Sequence, residues 1–192
     1  GSKEEKVILE KIYEAPKLMD WGNFEPIREF DMTNDKKLFK TTETGPPLYE
    51  GKMIHMFTHN FAPPKQWLVL QDAEAREVEK EKRRIPKKIR DKNPKMIFRI
   101  GANEYKLVWR SITNATDQRT FISTVLPPNF TGNNLNCLIP ITFDENTETY
   151  VKPVANDEMI FLCGMFNSFV VDYVMRHKLG GSNVNYFHMN EL

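Results

Sequence analysis

The residues of this chain able to do acid–base, nucleophilic or metal chemistry are few, and their spacing argues against most of it. Of the four histidines, His55, His59, His177 and His188, the first two are separated by four positions, which suits a metal pair on a helix. Around them, however, apolar residues alternate from Met53 onward in the manner of a strand, on which the two imidazoles would lie about 14 Å apart. No metal centre is therefore expected. Cys137 and Cys163, the two cysteines, cannot make a tetrahedral thiolate site, and Cys163 falls in an apolar helical pattern where a thiol packs as a small hydrophobe. Both are expected to be reduced core residues, with no activating His or carboxylate suggested by local sequence. No serine occupies a nucleophile elbow, and Gly180-Gly181 stands at a helix end rather than a helix start, so no phosphate-cradling loop is present. Asp144-Glu145 reads as a pair of solvated turn carboxylates.

The sequence does supply material for binding. From Lys82 to Lys95 there are eight Lys or Arg and one acid, Asp91, a cluster able to face phosphates. Tyr105-Lys106-Leu107-Val108-Trp109-Arg110 interleaves cations and aromatics on strand-like backbone, as stacking surfaces do. Both have plainer counterparts, since a charge run often solvates a helix and Trp109 can belong to a core. Composition bounds the choice. With 192 residues, 40% of them hydrophobic, and 27 basic against 26 acidic side chains for a net charge of +1, the chain is globular and carries no strongly basic tail, although a local basic face remains open. A domain of this size buries roughly 70% of its unfolded surface and needs no disulfide or metal staple. No apolar run approaches the roughly 20 residues of a membrane helix and no signal peptide opens the chain, so a soluble, cytoplasmic protein is expected. Gly1-Ser2 in place of an initiator Met reads as the scar of a cleaved tag, and the chain as an excised piece of a longer protein.

The elements that would position these groups follow from periodicity. Lys3 to Tyr13 predicts a short amphipathic helix ended by Pro16. Trp21 to Thr42, with Trp21, Phe24, Phe30 and Phe39 unevenly spaced, predicts an ordered loop, and Met53 to Phe57 a strand. Asp72 to Glu81 places acid and base at helical spacing. Met96 to Ile100, Tyr105 to Ile112, Arg119 to Leu126 and Cys137 to Phe143 predict strands, the third closed by Pro127-Pro128. The clearest helix is Asp157 to Lys178, capped by Asn156, with Met159, Leu162, Cys163, Phe166, Phe169, Val170, Tyr173 and Val174 forming one broad apolar face.

Four blocks occur in one order: Glu29-Phe30-Asp31-Met32-Thr33-Asn34-Asp35; Pro47-Leu48-Tyr49-Glu50-Gly51-Lys52-Met53-Ile54-His55; Leu107-Val108-Trp109-Arg110 with Arg119-Thr120 and Val125-Leu126-Pro127-Pro128; and Asn167-Ser168-Phe169 with Gly180-Gly181 and Asn185-Tyr186-Phe187-His188. Together they resemble the C-terminal specificity region of adenine-specific DNA methyltransferases of type IIG restriction enzymes and of the related BREX defence systems. The resemblance spans most of Glu29 to Leu192, and its last block is also similar to target recognition domains of type I specificity subunits. It implies an α+β target recognition domain of that type over residues 29–192, with a mixed or antiparallel β-sheet and a long packed C-terminal helix. Residues 1–2 would be the tag scar and 3–28 an N-terminal helix with its connection. It further implies that S-adenosylmethionine and the chemistry belong to a methyltransferase domain of the same parent chain. Pro127-Pro128-Asn129-Phe130 is the nearest string to that family's catalytic loop, but it lacks the preceding Asn or Asp that would orient the target amino group. The fragment is thus expected to bind duplex DNA without a cofactor of its own.

A duplex reader needs cations for phosphates and forked donors and acceptors for base edges. Arg110, Thr113, Asn114, Gln118 and Arg119 flank the turn between two predicted strands. Lys52 and His55 lie on the motif strand, Lys87, Lys88 and Arg90 are candidate phosphate contacts, and Asn183 and Asn185 can approach the backbone through the glycine loop. The same residues also describe an ordinary polar hairpin and shape-determining turns. Two other functions stay open: a protein-interaction module of a restriction or defence complex, and a nuclease or transferase fragment, the latter without an evident metal-binding carboxylate cluster.

Overall fold

The computed structural model describes residues 3–21 and 26–192; Gly1-Ser2 and Phe24 lie outside them. Along the chain run α1 (Lys3–Tyr13), β1 (Pro26–Ile27), β2 (Phe39–Lys40), β3 (Leu48–Tyr49), β4 (Trp67–Leu68), α2 (Leu70–Arg84), α3 (Lys87–Lys92), β5 (Lys106–Arg110), β6 (Ser123–Leu126), β7 (Phe130–Thr131), β8 (Leu135–Leu138), β9 (Thr142–Asp144), β10 (Thr149–Val151), α4 (Asn156–Phe166), α5 (Phe169–Lys178) and α6 (Tyr186–Asn190). The architecture is α+β. A four-stranded antiparallel sheet of order β1-β8-β5-β6 forms its centre, and a parallel pair, β3 with β7, is one of three smaller two-stranded sheets.

Strand β5 is buried along almost its whole length, and its residues alternate between two cores as strand geometry requires. Leu107 and Trp109 pack with Phe121, Met159, Leu162, Phe166 and Met175 under the C-terminal helices. Val108, between them, joins Tyr49, Met53, Ile54, Leu126 and Cys137 on the opposite face. Trp109 and Phe121 both meet Phe166 edge-on, with centroids 6.1 and 5.4 Å away. Both cysteines are free and buried, and burial pushes the Cys137 thiol up to about 12.

The long C-terminal helix does not exist as one rod. It breaks at Asn167-Ser168 into α4 and α5, whose axes are bent by 64°. The cause is local hydrogen bonding. The Asn167 carboxamide accepts from Ser123 N at 3.1 Å and donates to Ser123 O and Cys163 O, both at 2.9 Å, while Ser168 caps α5 by accepting from Val171 N. Because the apolar spacing of three and four runs through the break, periodicity alone could not reveal it. Phe169 and Val170, expected on the apolar core face, are exposed. The cap position of α4 is Ala155 rather than Asn156, with Glu158 accepting from Ala155 N at 2.7 Å. Among the described residues no single helix is long and apolar enough to cross a membrane.

Other expected strands also differ. Met53 to Phe57 is a 3-10 turn (Gly51–Met53) followed by a tight turn in which His55 N and Thr58 N donate to each other's carbonyls, with Phe57 at φ 62°. Met96 to Ile100 makes no strand. The third strand begins only at Ser123, because the amides of Thr120 and Phe121 are taken by Asp172. Cys137 to Phe143 is divided between β8 and β9.

Helix α2 carries the opposite surprise, since its buried face is Ala73, Glu77 and Glu81. Glu81 accepts from Arg99 Nη2 at 2.9 Å and from the Tyr150 hydroxyl at 3.1 Å. Glu77 accepts from Ala102 N at 3.2 Å, and beside it the buried Glu29 receives Lys106 Nζ together with the amide and hydroxyl of Thr131. Burial, then the neighbouring Glu29 carboxylate, push the Glu77 carboxyl up to about 8 from an ordinary 4.5, with Lys106 opposing. Its folded-state pKa therefore lies above the unfolded value, so its contribution to stability is greatest below pH 4.5 and is lost as pH rises toward 8. Glu77→Gln, which keeps the shape and a donor without the ionisation, is expected to match the parent near pH 5 and to exceed its Tm at pH 8 to 9 by several degrees, roughly 2–4 °C per kcal/mol recovered. Thermal unfolding across pH checks this; equal slopes for parent and variant would refute it.

Candidate nucleic-acid interface

Past Arg110, β5 leaves the central sheet and pairs with the segment before α6. Thr113 N donates to Ser182 O at 2.9 Å and Val184 N to Ser111 O at 2.8 Å, which sets Ile112 opposite Asn183. The turn 111–119 and the loop 182–185 thus form one backbone-paired unit. Within the turn, the Asn114 carboxamide oxygen accepts from Thr116 N at 3.2 Å, and Asp117 accepts from Asn114 N at 3.1 Å. Buried Thr113 donates to Thr120 O at 2.6 Å. Asn114, Gln118, Asn183 and Asn185 are exposed, and the N–H of Asn185 donates to His188 Nδ1 at 3.0 Å.

This unit is held from below by α5. Arg176 donates to the carbonyls of Ala115, Asp117 and Gln118 at 2.7, 2.7 and 2.8 Å, and through Nε to Asp172 at 2.8 Å. The second Asp172 oxygen accepts the backbone amides of Thr120 and Phe121 at 2.8 and 2.9 Å. The i, i+4 spacing of Asp172 and Arg176 is the signal in the sequence for this pairing.

The arginines expected to reach DNA are spent on the fold. Arg119, with only 10% of its side chain exposed, donates to the carbonyls of Asn167 and Ser168 and lies 3.6 Å from Asp172. Its guanidinium sits over the Phe169 ring at 4.8 Å. Arg110 donates to Ile54 O and lies 6.0 Å from the Phe61 centroid. His55 stacks at 4.7 Å on Phe61, and burial followed by the charges of Arg110 and Arg119 lowers its pKa, so the imidazole is neutral at neutral pH. Lys52 is partly exposed and pairs with Glu50 at 3.2 Å. Of the expected residues, Arg110, Thr113, Asn114, Gln118, Arg119, Asn183 and Asn185 therefore belong to or flank the paired turn and loop, with His55 near Arg110 and Arg119, whereas Lys87, Lys88 and Arg90 lie on α3. Lys87 and Lys88 are exposed there, and Arg90 donates to Ile85 O at 3.0 Å. Much of the surrounding basic run is internally paired: Arg83 with Glu79, Arg84 with Glu81, Lys92 with Glu148, and Lys82 over Phe98. Sequence reasoning did not single out Phe57 and Phe61, and it counted Phe169 toward a core.

Among the described residues no three His, Cys, Asp or Glu side chains gather as metal ligands. No protein-family model matches the chain, and a search of curated proteins found no matching sequence.

Asp172→Ala would leave two buried amides and Arg176 Nε without their acceptor and Arg119 without its facing carboxylate. A loss of about 3–5 kcal/mol is expected in urea unfolding, against a change within about 0.5 kcal/mol for the exposed Gln118→Ala. Equal effects of the two would show that Asp172 does not hold the turn.

Proposed function

We propose that this chain is a DNA-specificity domain, of the target recognition kind, that reads duplex DNA for an adenine methyltransferase of a restriction-modification or phage-defence system. The observation that carries the reading is the backbone pairing of turn 111–119 with loop 182–185, which gathers the exposed carboxamides of Asn114, Gln118, Asn183 and Asn185 on a unit braced by Asp172 and Arg176. Carboxamides match the adenine edge in the major groove with paired donor and acceptor, and polar loops on a rigid scaffold are where such readers sit. In this account Arg110 and Arg119 position the loops, while Lys52, Lys87 and Lys88 face phosphates. The resemblance noted in the four sequence blocks supports the same reading. S-adenosylmethionine would be bound by the methyltransferase domain of the parent chain, which would be the domain's partner in a cytoplasmic enzyme, and this chain itself would catalyse nothing.

A second reading, a protein-interaction module, is favoured by one observation: Ile160 and Phe161 on α4 are 63% and 67% exposed.

Fluorescence anisotropy with a pool of short duplexes tests the first. Affinity is expected to fall steeply with salt, log K declining linearly with log salt concentration. Lys87→Ala and Lys88→Ala should weaken all sequences alike and each reduce the slope by about 1, whereas Asn114→Ala or Asn183→Ala should relax preference at one base pair, with a discrimination loss of about 1–3 kcal/mol. Absence of duplex binding at low salt would overturn the reading.

A further inference from the structure

Three phenyl rings stand out from the face beside the turn. Phe57, Phe61 and Phe169 are 66%, 58% and 84% exposed, and leaving such side chains in water forgoes a burial gain that a ligand could recover. A chain of hydrogen bonds and ring contacts links the three. Phe57 N donates to Ser123 O at 3.2 Å, the same carbonyl that accepts from the Asn167 carboxamide, and Asn167 O in turn accepts from Arg119, whose guanidinium backs Phe169. On the other side, His55 belongs to the same tight turn as Phe57 and stacks on Phe61, which Arg110 also approaches. Phe57 adopts φ 62°, a left-handed backbone costly for any residue with a Cβ. The turn closed between His55 and Thr58 holds it there.

The chemistry of this face selects its occupant. Phe169 has a guanidinium against one side and is otherwise open, an arrangement that suits a second flat π-system more than an aliphatic side chain. The carboxylates paired with Lys52 and Arg119, Glu50 and Asp172, are themselves buried, Lys52 is exposed, and the exposed Asp117 on the turn is the acid that acts on Arg110. Aromatic rings interleaved with cations are the pattern of surfaces that stack bases and track an anionic backbone. We propose that Phe57, Phe61 and Phe169, braced by His55, Arg110 and Arg119, form a stacking site for an unpaired nucleobase. The inference rests on the DNA-reading role proposed above and adds to it a place for a base that has left the helical stack.

Three fluorescent ligands test it with the chain as it stands: a short perfect duplex, the same duplex carrying one unpaired thymine, and a thymine oligonucleotide. The parent chain is expected to bind the bulged duplex at least tenfold more tightly than the perfect one. Phe61→Ala and Phe169→Ala should each cost about 5- to 100-fold on the bulged duplex and on the single strand, with little effect on the perfect duplex. Phe169→Tyr, which keeps the ring, should bind as the parent does, and unchanged circular dichroism and Tm would establish that the alanine variants are folded. Perfect-duplex binding with no advantage for the bulge, or folded alanine variants that bind like the parent, would overturn the stacking site while leaving the duplex-reading role standing. Bulge binding that depends on the rings, without perfect-duplex binding, would support the site and overturn that role. No binding to any of the three would overturn both.

Discussion

The carboxylate of Asp172 is the point on which the candidate interface turns. One oxygen takes the amides of Thr120 and Phe121, and the other takes Arg176, which in turn grips three carbonyls of the turn. Arg119 lies against the same carboxylate while holding the carbonyls at the break between α4 and α5. The turn is thereby fixed by charge-assisted bonds that are buried at Asp172, where their removal is costly, and open to solvent at Arg176. The arrangement explains why residues of the reading type are present in the turn but divided in labour: the guanidiniums face inward, and the neutral amides face out.

A second buried charge system ties the remainder of the chain to the central sheet. Lys106, on β5, is fully buried against Glu29 and Asn129 O, and Glu29 reaches across to Thr131 on β7. Glu77 and Glu81 bring α2 onto this system through Ala102, Arg99 and Tyr150. Paired buried charges add little net stability compared with apolar packing, but they penalise every arrangement that leaves one of them alone. Here the penalised alternatives include sliding α2 along its axis, because its inward face carries almost no apolar side chains to set a register.

What the sequence made legible follows from which forces act locally. The extent of α1 and most of α2 could be read from charge and apolar spacing, and β5 from the strand-like stretch around Leu107-Val108-Trp109. The break at Asn167-Ser168 could not, since it depends on Asn167 meeting Ser123, a residue distant in the chain, and the apolar period is unchanged across it. The tight turn after Met53 was hidden for a related reason: alternation in Met53 to Phe57 says strand, and only the backbone reveals the left-handed Phe57. At the interface, residue type pointed to Arg110 and Arg119, but type does not record that each guanidinium already binds backbone carbonyls, of Ile54 for the first and of Asn167 and Ser168 for the second. The exposed amides were legible because turn chemistry and base chemistry call on the same side chains.

The burial of Cys137 has a chemical consequence of its own. A sulfur held as a neutral thiol, shielded by the sheet and bonded to Ile27 O and Thr131, offers no nucleophile to alkylating or oxidising agents at ordinary pH. It stays silent while the native packing persists and becomes reactive when β8 separates from its neighbours, so the rate at which it takes up a thiol reagent is a clock for the opening of the central sheet.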